Sequence, residues 1–155
     1  MERSDLADLR TGYRRYLSAI VAFHLAAADH VGLGSTDYEA LNLLEIEAPV
    51  TAGELGQLLG LSTGATTRLI DRLERAGLAK RSHDDLDHRR VLVEATGRRP
   101  DGLDEALAHV VPAVGDVIAK LDAHQLAGLA AYVSAAGEAY REATHQLRQP
   151  TTQPE

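Results

Sequence analysis

Residues 58–78 have the sequence LLGLSTGATTRLIDRLERAGL, in which two helical patterns meet across a short turn. Gly60 ends the first helix, and the second begins at Ser62 or Thr63 and runs to about Ala76. One face of the second helix should be buried, because four residues recur on it at helical spacing: Thr66, Leu69, Ile70 and Leu73. The opposite face carries small polar residues in its first turn. The stretch therefore predicts a helix-turn-helix unit.

The residues on either side of this stretch extend the pattern. Upstream, Thr51 stands three residues before Glu54, the arrangement of a capping box at a helix start. Downstream, Gly77 is a favourable residue for ending the second helix. Residues 78–81 and 91–94 then read as short strands on either side of a charged turn. Two strands directly after a helix-turn-helix predict a winged helix.

A helix with small residues in its first turn can approach a binding partner closely. In a helix-turn-helix the second helix enters the major groove of DNA, and the planar fork of Arg68 matches the two acceptors of guanine. The arginine-rich hairpin tip can lie along the minor groove. An ordinary helical hairpin with a solvated Arg68 is the alternative, which the adjoining wing disfavours. The residues that we predict to contact DNA are Ser62, Thr63, Gly64, Thr67, Arg68, Arg72, Arg89 and Arg90.

The charge of the chain is unevenly distributed along its 155 residues, which is the length of one domain. The formal net charge of -7 by itself argues against a nucleic acid partner, because phosphate binding needs local positive charge. Between Ser62 and Arg99, however, nine basic residues outnumber six acidic ones, whereas the remainder holds seven basic and seventeen acidic residues. This segregation favours one anion-binding patch on an acidic body, although an ordinary solvated basic face has the same composition.

Long helices are predicted on both sides of the winged helix. The first runs from Ser4 to about His30, with an apolar seam that repeats every seven residues. After Pro100 a second helix extends to about Leu121, with a kink expected at Pro112 and Gly115. Thr36 and Glu39 form a second capping pattern ahead of the helix that follows the first long one. Asp122 and Gln125 form a third, and the last helix runs to about Arg148. Its expected buried side consists of Leu126, Leu129, Val133, Ala136, Tyr140 and Leu147.

Residues 58–78, together with the segment Asp87-His88-Arg89-Arg90-Val91-Leu92-Val93, resemble the MarR family of regulators. The resemblance extends over nearly the whole chain, since the flanking long helices also match. It implies a mainly α fold with a small two- or three-stranded β-wing, and a two-fold dimer built by the first and last helices. On this basis, residues 1–34 form a dimerisation helix, 35–99 the winged helix-turn-helix domain, 100–149 the second dimerisation region and 150–155 a flexible tail.

The resemblance also assigns roles within the wing. The family's Asp-x-Arg motif is matched by Asp87 and Arg89, so that Arg89 would read the minor groove and Asp87 would brace the wing through a basic neighbour. Either Arg72 or Arg75 fits the role of that neighbour. Thr66 departs from the family, which has valine there, and would bury a hydroxyl unless it bonds back to a helix carbonyl. Residues 95–100 also differ from the usual junction after the wing.

The function that we expect is sequence-specific binding of double-stranded DNA by a transcriptional regulator acting as a homodimer on a pseudo-palindromic operator. A repressor is favoured over an activator, because occluding a promoter requires only tight binding. The alternatives are a winged-helix module that binds proteins instead of DNA, and an enzyme. No phosphate loop, nucleophile elbow or pair of converging carboxylates is recognisable in the sequence. We therefore predict no enzymatic activity.

Members of this family often release DNA when a phenolic or anionic small molecule binds between the dimerisation helices and the winged domain. The residues that would line such a pocket here are Tyr16, Phe23, His24, Tyr38 and His109. Each also has an ordinary structural explanation, since aromatic residues and histidines on an apolar face are commonly core residues.

Composition excludes several other kinds of site. The chain has no cysteine, which excludes disulfides, thiolate metal sites and thiol redox sensing. Its seven histidines lack the spacing of a zinc motif, although a metal site assembled across a dimer stays open. We expect no cofactor. The N-terminus lacks the pattern of a signal peptide and no apolar run is long enough to span a bilayer, so we predict a cytoplasmic protein without a membrane partner.

Overall fold

The computed structural model describes residues 3–84, 87 and 89–148, and the predicted flexible tail lies outside these. The chain divides into two compact units, with the boundary between Leu107 and Ala108. The first unit contains α1 (Arg3–His30), α2 (Ser35–Glu47), β1 (Val50–Thr51), α3 (Ala52–Leu59), α4 (Thr63–Arg75), β2 (Ala79–His83), β3 (Val91–Ala95) and α5 (Leu103–Leu107). The second unit contains α6 (Val110–Ile118) and α7 (Ala123–Arg148). The prediction of a mainly helical fold with a small wing sheet is confirmed.

Local hydrogen bonds at the helix starts explain the boundaries of α3 and α7. The Thr51 hydroxyl accepts the Glu54 N–H at 3.2 Å, and Glu54 Oε2 accepts the Thr51 N–H at 2.6 Å, which completes the predicted capping box. Asp122 and Gln125 exchange the same pair of bonds at 2.8 and 3.0 Å. The capping patterns at Thr51 and Asp122 are confirmed, because each satisfies N–H groups that the first helical turn leaves without a partner. The one predicted at Thr36 is wrong, since α2 begins at Ser35 after Gly34 and has no side-chain cap.

The wing is a three-stranded antiparallel sheet with β3 in the centre. Its hairpin partner β2 pairs with β3 from Ala79 opposite Ala95 to His83 opposite Val91. On the other side β1 pairs through Val50 opposite Val93 and Thr51 opposite Leu92. Thr51 therefore belongs to the sheet and also caps α3, which attaches the first helix of the helix-turn-helix directly to the wing.

The main apolar core of the first unit lies between α2, α3, α4 and the sheet. Its fully buried side chains include Leu41, Leu44, Leu55, Leu69, Ile70, Leu73 and Val93. The predicted inner face of α4 is confirmed, including Thr66, whose hydroxyl donates to the Ser62 carbonyl at 3.1 Å. A helix can bury this hydroxyl because the preceding turn supplies its acceptor.

A second, smaller apolar cluster joins α1, α2 and α5. Its buried members are Ala27 and Ala28 of α1, Tyr38 of α2 and Leu103 of α5. Phe23 and Val31 pack against it while remaining partly exposed. This cluster fixes the C-terminal half of α1 beside the start of α2.

One expectation for the region after Pro100 is wrong. The helix predicted across Pro112 and Gly115 is divided instead at residues 108–109, between α5 and α6. Pro112 is the third residue of α6, where its missing N–H has no helical acceptor to lose, so no kink is required there. The expected buried side of α7 is exposed within this chain, where Leu126, Leu129 and Val133 are 45%, 39% and 59% exposed, so its burial in a dimer stays a prediction.

Candidate nucleic-acid interface

The turn between α3 and α4 brings the two helices into close contact. Gly60 adopts a left-handed conformation with φ of 69°, and the Leu61 N–H donates to the Gly56 carbonyl at 2.8 Å. A Cβ at Gly56 would lie 2.6 Å from Thr66 Oγ1, so a side chain there would collide with α4. The absence of that side chain permits the close approach. Gly56 was not singled out in the sequence, although a glycine inside a predicted helix is a signal of such packing.

The N-terminal half of α4 presents an exposed polar surface. The Ser62 hydroxyl caps the helix by accepting the Ala65 N–H at 3.4 Å. Thr63, Gly64, Thr67 and Arg68 are all exposed, on the side opposite the buried leucines. The structure therefore brings together the five predicted contact residues of this segment. The first turn of α4 contains no acidic residue, so no carboxylate there would repel an anion that approaches the positive end of the helix dipole. Phosphate groups bind favourably at such helix N-termini.

Arg72 lies apart from this surface and is engaged within the protein. Its Nε donates to Asp37 Oδ2 at 2.7 Å and its Nη2 donates to Asp37 Oδ1 at 2.6 Å. The Asp37 side chain is 11% exposed, and this hydrogen bond raises the pKa of Arg72. A bidentate bond of this kind holds the start of α2 against α4. The sequence could not reveal it, because the two residues are 35 positions apart.

The wing tip is organised by a turn around Asp87. Asp87 Oδ1 accepts the Arg89 N–H at 3.1 Å, and the Asp87 carbonyl accepts the Arg90 N–H at 2.8 Å. Across the described residues, the predicted bond from Asp87 to Arg72 or Arg75 is not formed: Arg72 binds Asp37, and Arg75 Nε donates to the Asp71 carbonyl. The hydrogen bonds that Asp87 makes here lie within its own turn, and its role in bracing the wing stays a prediction.

The two arginines of the tip have different surroundings. Arg89 is exposed beside the turn. Arg90 stands 3.6 Å from Asp84 Oδ2 and 3.8 Å from Glu54 Oε1, at the outer limit of ion pairing. Glu54 has a pKa lowered mainly by its hydrogen bond with the Thr51 backbone, with a small further contribution from Arg90. The Arg90 side chain thus lies near the start of α3.

Arg81 on β2 connects the wing to α4. Its backbone N–H donates to Glu74 Oε1 at 2.9 Å, and its Nη1 donates to Glu74 Oε2. Its Nη2 donates to Asp71 Oδ1 at 2.7 Å. Sequence analysis missed this cluster, because a strand arginine gives no local signal of which helix it will meet.

Three of the five predicted effector residues lie together on α1 and α2. The rings of Phe23 and His24 meet edge to face with centroids 5.7 Å apart, and those of His24 and Tyr38 are 5.9 Å apart. Burial is the main cause of the raised pKa of Tyr38. Tyr16 is exposed on α1, and His109 belongs to the second unit.

The part of the chain that the structure describes holds neither a metal-binding cluster nor a single helix that could span a membrane. No group of three or more histidine and carboxylate side chains is placed to hold a metal ion. No single helix is long and apolar enough to cross a membrane, whereas the segments Leu6–His30 and Ser35–Glu47, bent by 103°, meet the length and composition requirement together.

The chain is similar in sequence to known transcriptional regulators. A family model described as MarR family matches residues 31–90. The Bacillus subtilis protein YcgE, described as an HTH-type transcriptional regulator, is 33% identical over 137 residues, which cover 88% of this chain and 89% of YcgE. YkoM of the same organism, described in the same way, is 34% identical over 74 residues, covering 48% of each chain.

Solved structures share the fold over most of the chain. A MarR family protein from Bacillus stearothermophilus matches with a TM-score of 0.59 at 20% identity, covering 93% of this chain and 99% of that one. An S. aureus MepR mutant bound to an oligodeoxyribonucleotide matches with a TM-score of 0.52 at 16% identity, covering 85% and 97%. At these identities the likeness concerns the arrangement of the helices and the wing.

Proposed function

Since the chain belongs to the MarR family of winged helix-turn-helix transcription regulators, we propose that it binds a pseudo-palindromic operator in double-stranded DNA as a homodimer. The family consists of DNA-binding regulators and not of enzymes. The observation that carries the proposal is the exposed, serine-capped N-terminal half of α4, whose other face is fully buried. A helix held in this way can enter the major groove by its N-terminus without rearranging the core.

Within the major groove, Ser62, Thr63 and Gly64 approach the DNA backbone, and Thr67 and Arg68 reach the bases. The Thr67 hydroxyl donates its proton to the Thr63 carbonyl at 3.0 Å, which leaves its oxygen as an acceptor for a base amino group. Arg68 is exposed beside Gly64, where a bidentate bond to guanine is sterically open. A MepR mutant of similar fold is bound to an oligodeoxyribonucleotide, which supports DNA as the partner.

The wing supplies the second contact. Arg89 enters the flanking minor groove and Arg90 accompanies it along the backbone. Arg72 keeps a place in the predicted contact set only through Nη1, because Nε and Nη2 bind Asp37. In a two-fold dimer the two α4 helices would lie about 34 Å apart, the spacing of successive major grooves on one side of the duplex.

The same proposal extends to regulation. The protein acts as a repressor and releases DNA when a phenolic or anionic small molecule binds beside Phe23, His24 and Tyr38, with Tyr16 of the same first unit as a further contact. The adjacent aromatic rings on α1 and α2 support a flat ligand. We place the protein in the cytoplasm, because its relatives are bacterial proteins and its proposed partner is chromosomal DNA.

Selection of fragments from the genome of the source organism, followed by affinity measurement over a range of salt, tests DNA binding. The logarithm of the association constant should fall linearly with that of the salt concentration, and Arg89→Ala should reduce the slope by about one unit. Arg68→Ala should instead relax the base preference, with a loss of about 1 to 3 kcal/mol at its base pair. Arg141→Ala on α7 is the matched control.

Two outcomes would contradict the proposal. Retention of no fragment in a salt-sensitive and sequence-dependent manner would favour a winged-helix module that binds proteins. Equal loss on every sequence in Arg68→Ala would remove Arg68 from base recognition and leave it as a phosphate contact.

A further inference from the structure

Asp71 is an unfavourable residue at its position if α4 binds DNA. It lies one turn after Thr67 and Arg68 on the same outward face of the helix, and its side chain is 47% exposed. A carboxylate there would repel the phosphates beside the groove. In the described part of the chain its carboxylate has one cationic partner, Arg81, because Arg75 binds the Asp71 carbonyl instead.

Arg81 holds a second residue of α4 at the same time. Both oxygens of Glu74 accept from Arg81, one from the backbone N–H and one from the guanidinium. In the sheet Arg81 pairs with Val93, which is fully buried, so the backbone of β2 is fixed in register at this residue. A strand bound through its main chain and its side chain to one helix has little freedom to rotate about that helix.

We propose that Arg81 is a positioning residue for DNA binding, which sets the angle of the wing against α4 and neutralises Asp71 on the face turned to the duplex. The inference rests on the proposed function and names a residue outside the predicted contact set. Since Nη1 and Nη2 are both engaged with carboxylates, Arg81 acts through its neighbours and not as a phosphate contact.

A double-mutant cycle on the full-length protein tests the inference. Arg81→Gln should weaken binding to the selected operator about tenfold or more, as expected for losing hydrogen bonds between charged groups. Adding Asp71→Asn should restore part of that loss, because the exposed charge is then gone; Asp71→Asn alone completes the cycle. The salt slope of Arg81→Gln should stay near that of the wild type, whereas Arg89→Ala loses about one unit.

A second measurement separates this inference from the proposed function. In the free protein, Arg81→Gln should speed amide hydrogen exchange in β2 and β3 about tenfold, because the strand loses its bonds to Glu74. If Arg81→Gln does not fold, Arg81→Lys, which keeps the charge, replaces it in both measurements. Arg141→Gln is the control for the loss of one arginine. If the wild-type protein selects no operator, the proposed function is overturned. The exchange measurement still tests whether Arg81 holds β2 against α4.

Unchanged affinity and unchanged exchange in Arg81→Gln would overturn the inference. A salt slope reduced by about one unit with no recovery from Asp71→Asn would also overturn it, because Arg81 would then be a direct phosphate contact.

Discussion

Gly56 and Thr66 determine how closely the two helices of the helix-turn-helix pack. The Thr66 hydroxyl points back to the Ser62 carbonyl, and Gly56 leaves open the space that Oγ1 fills. A Cβ at Gly56 would also lie 3.5 Å from the Leu61 carbonyl, so α3 cannot shift freely towards the turn. Two small residues therefore define the separation of the helices that present the predicted DNA-binding surface.

Gly56→Ala should lower the free energy of unfolding, with an overpacking cost of about 1 to 3 kcal/mol partly offset by the better helix propensity of alanine. In a Thr66→Ala background the cost should shrink by about 1 kcal/mol, because the colliding atom is gone. Urea unfolding of the four proteins measures both values. Gly53→Ala on the same helix is the control, since its Cβ meets only Thr51 Oγ1 at 3.8 Å. Simple additivity of the two substitutions would show that they do not interact.

Individual site residues were predictable where the signal was local. The exposed positions of Thr63, Gly64, Thr67 and Arg68 follow from helical periodicity, because the buried leucines of one helix determine its opposite face. Partners of Arg72 and Arg81 were not predictable, because each lies on another element and the pairing depends on the tertiary fold. Such long-range ion pairs are the part of the candidate site that sequence periodicity does not encode.

The bond between Asp37 and Arg72 matters at the scale of whole helices. Asp37 is in the first turn of α2, and its neighbour Tyr38 belongs to the apolar cluster with α1 and α5. The bond therefore connects α4 to the helix that carries one of the predicted effector residues. A change at Tyr38 would reach α4 through this pair of side chains and through the apolar core that α2 and α4 share.

Asp37→Asn should destabilise the protein by about 1 to 2 kcal/mol, less than a fully buried pair costs, because the Arg72 side chain is 47% exposed. The swapped pair Asp37→Arg with Arg72→Asp should recover part of the loss. Glu94→Gln, which breaks the exposed Lys80 to Glu94 pair at 3.1 Å, is the control and should cost less than about 1 kcal/mol. Equal costs in thermal unfolding would mean that the bond to Asp37 contributes no more than an ordinary surface pair.

Elements whose ends are marked by capping residues or turns were predicted best. Capping residues and periodicity located α3, α4 and α7, and two short stretches on either side of a charged turn located the wing strands. The two-residue strand β1 is too short to show an alternation of apolar and polar residues. The sequence therefore did not decide between a two-stranded and a three-stranded wing. The division between α5 and α6 was missed because proline was treated as an interior residue, whereas it occupies the first turn of α6.

At the scale of the molecule, α7 has an apolar stripe that its own chain does not bury. Leu126, Leu129 and Val133 lie on one side of the helix and remain substantially exposed. The same holds for Val111, Val114 and Val117 of α6. Contiguous apolar surface of this kind is typical of an interface, which supports the proposed homodimer.

Leu129→Glu combined with Val133→Glu should convert the proposed dimer to a monomer, because charged residues at an interface core lose solvation without gaining partners. Sedimentation velocity measures the state, and operator affinity should fall with the loss of one half-site. Ala131→Glu, on the other side of α7, is the control. A dimer that persists in the double variant would move the interface away from this stripe.

The central position of β3 limits where the wing can adapt to its target. β3 is hydrogen-bonded to β2 on one side and to β1, which leads into the cap of α3, on the other. Residues 91–95 and 79–83 are therefore rigidly attached to the helix-turn-helix. Under the proposed DNA binding, operators whose grooves differ in width would have to be accommodated by the DNA more than by these paired strands. Tolerance to imperfect half-sites would then depend on how easily the operator itself deforms.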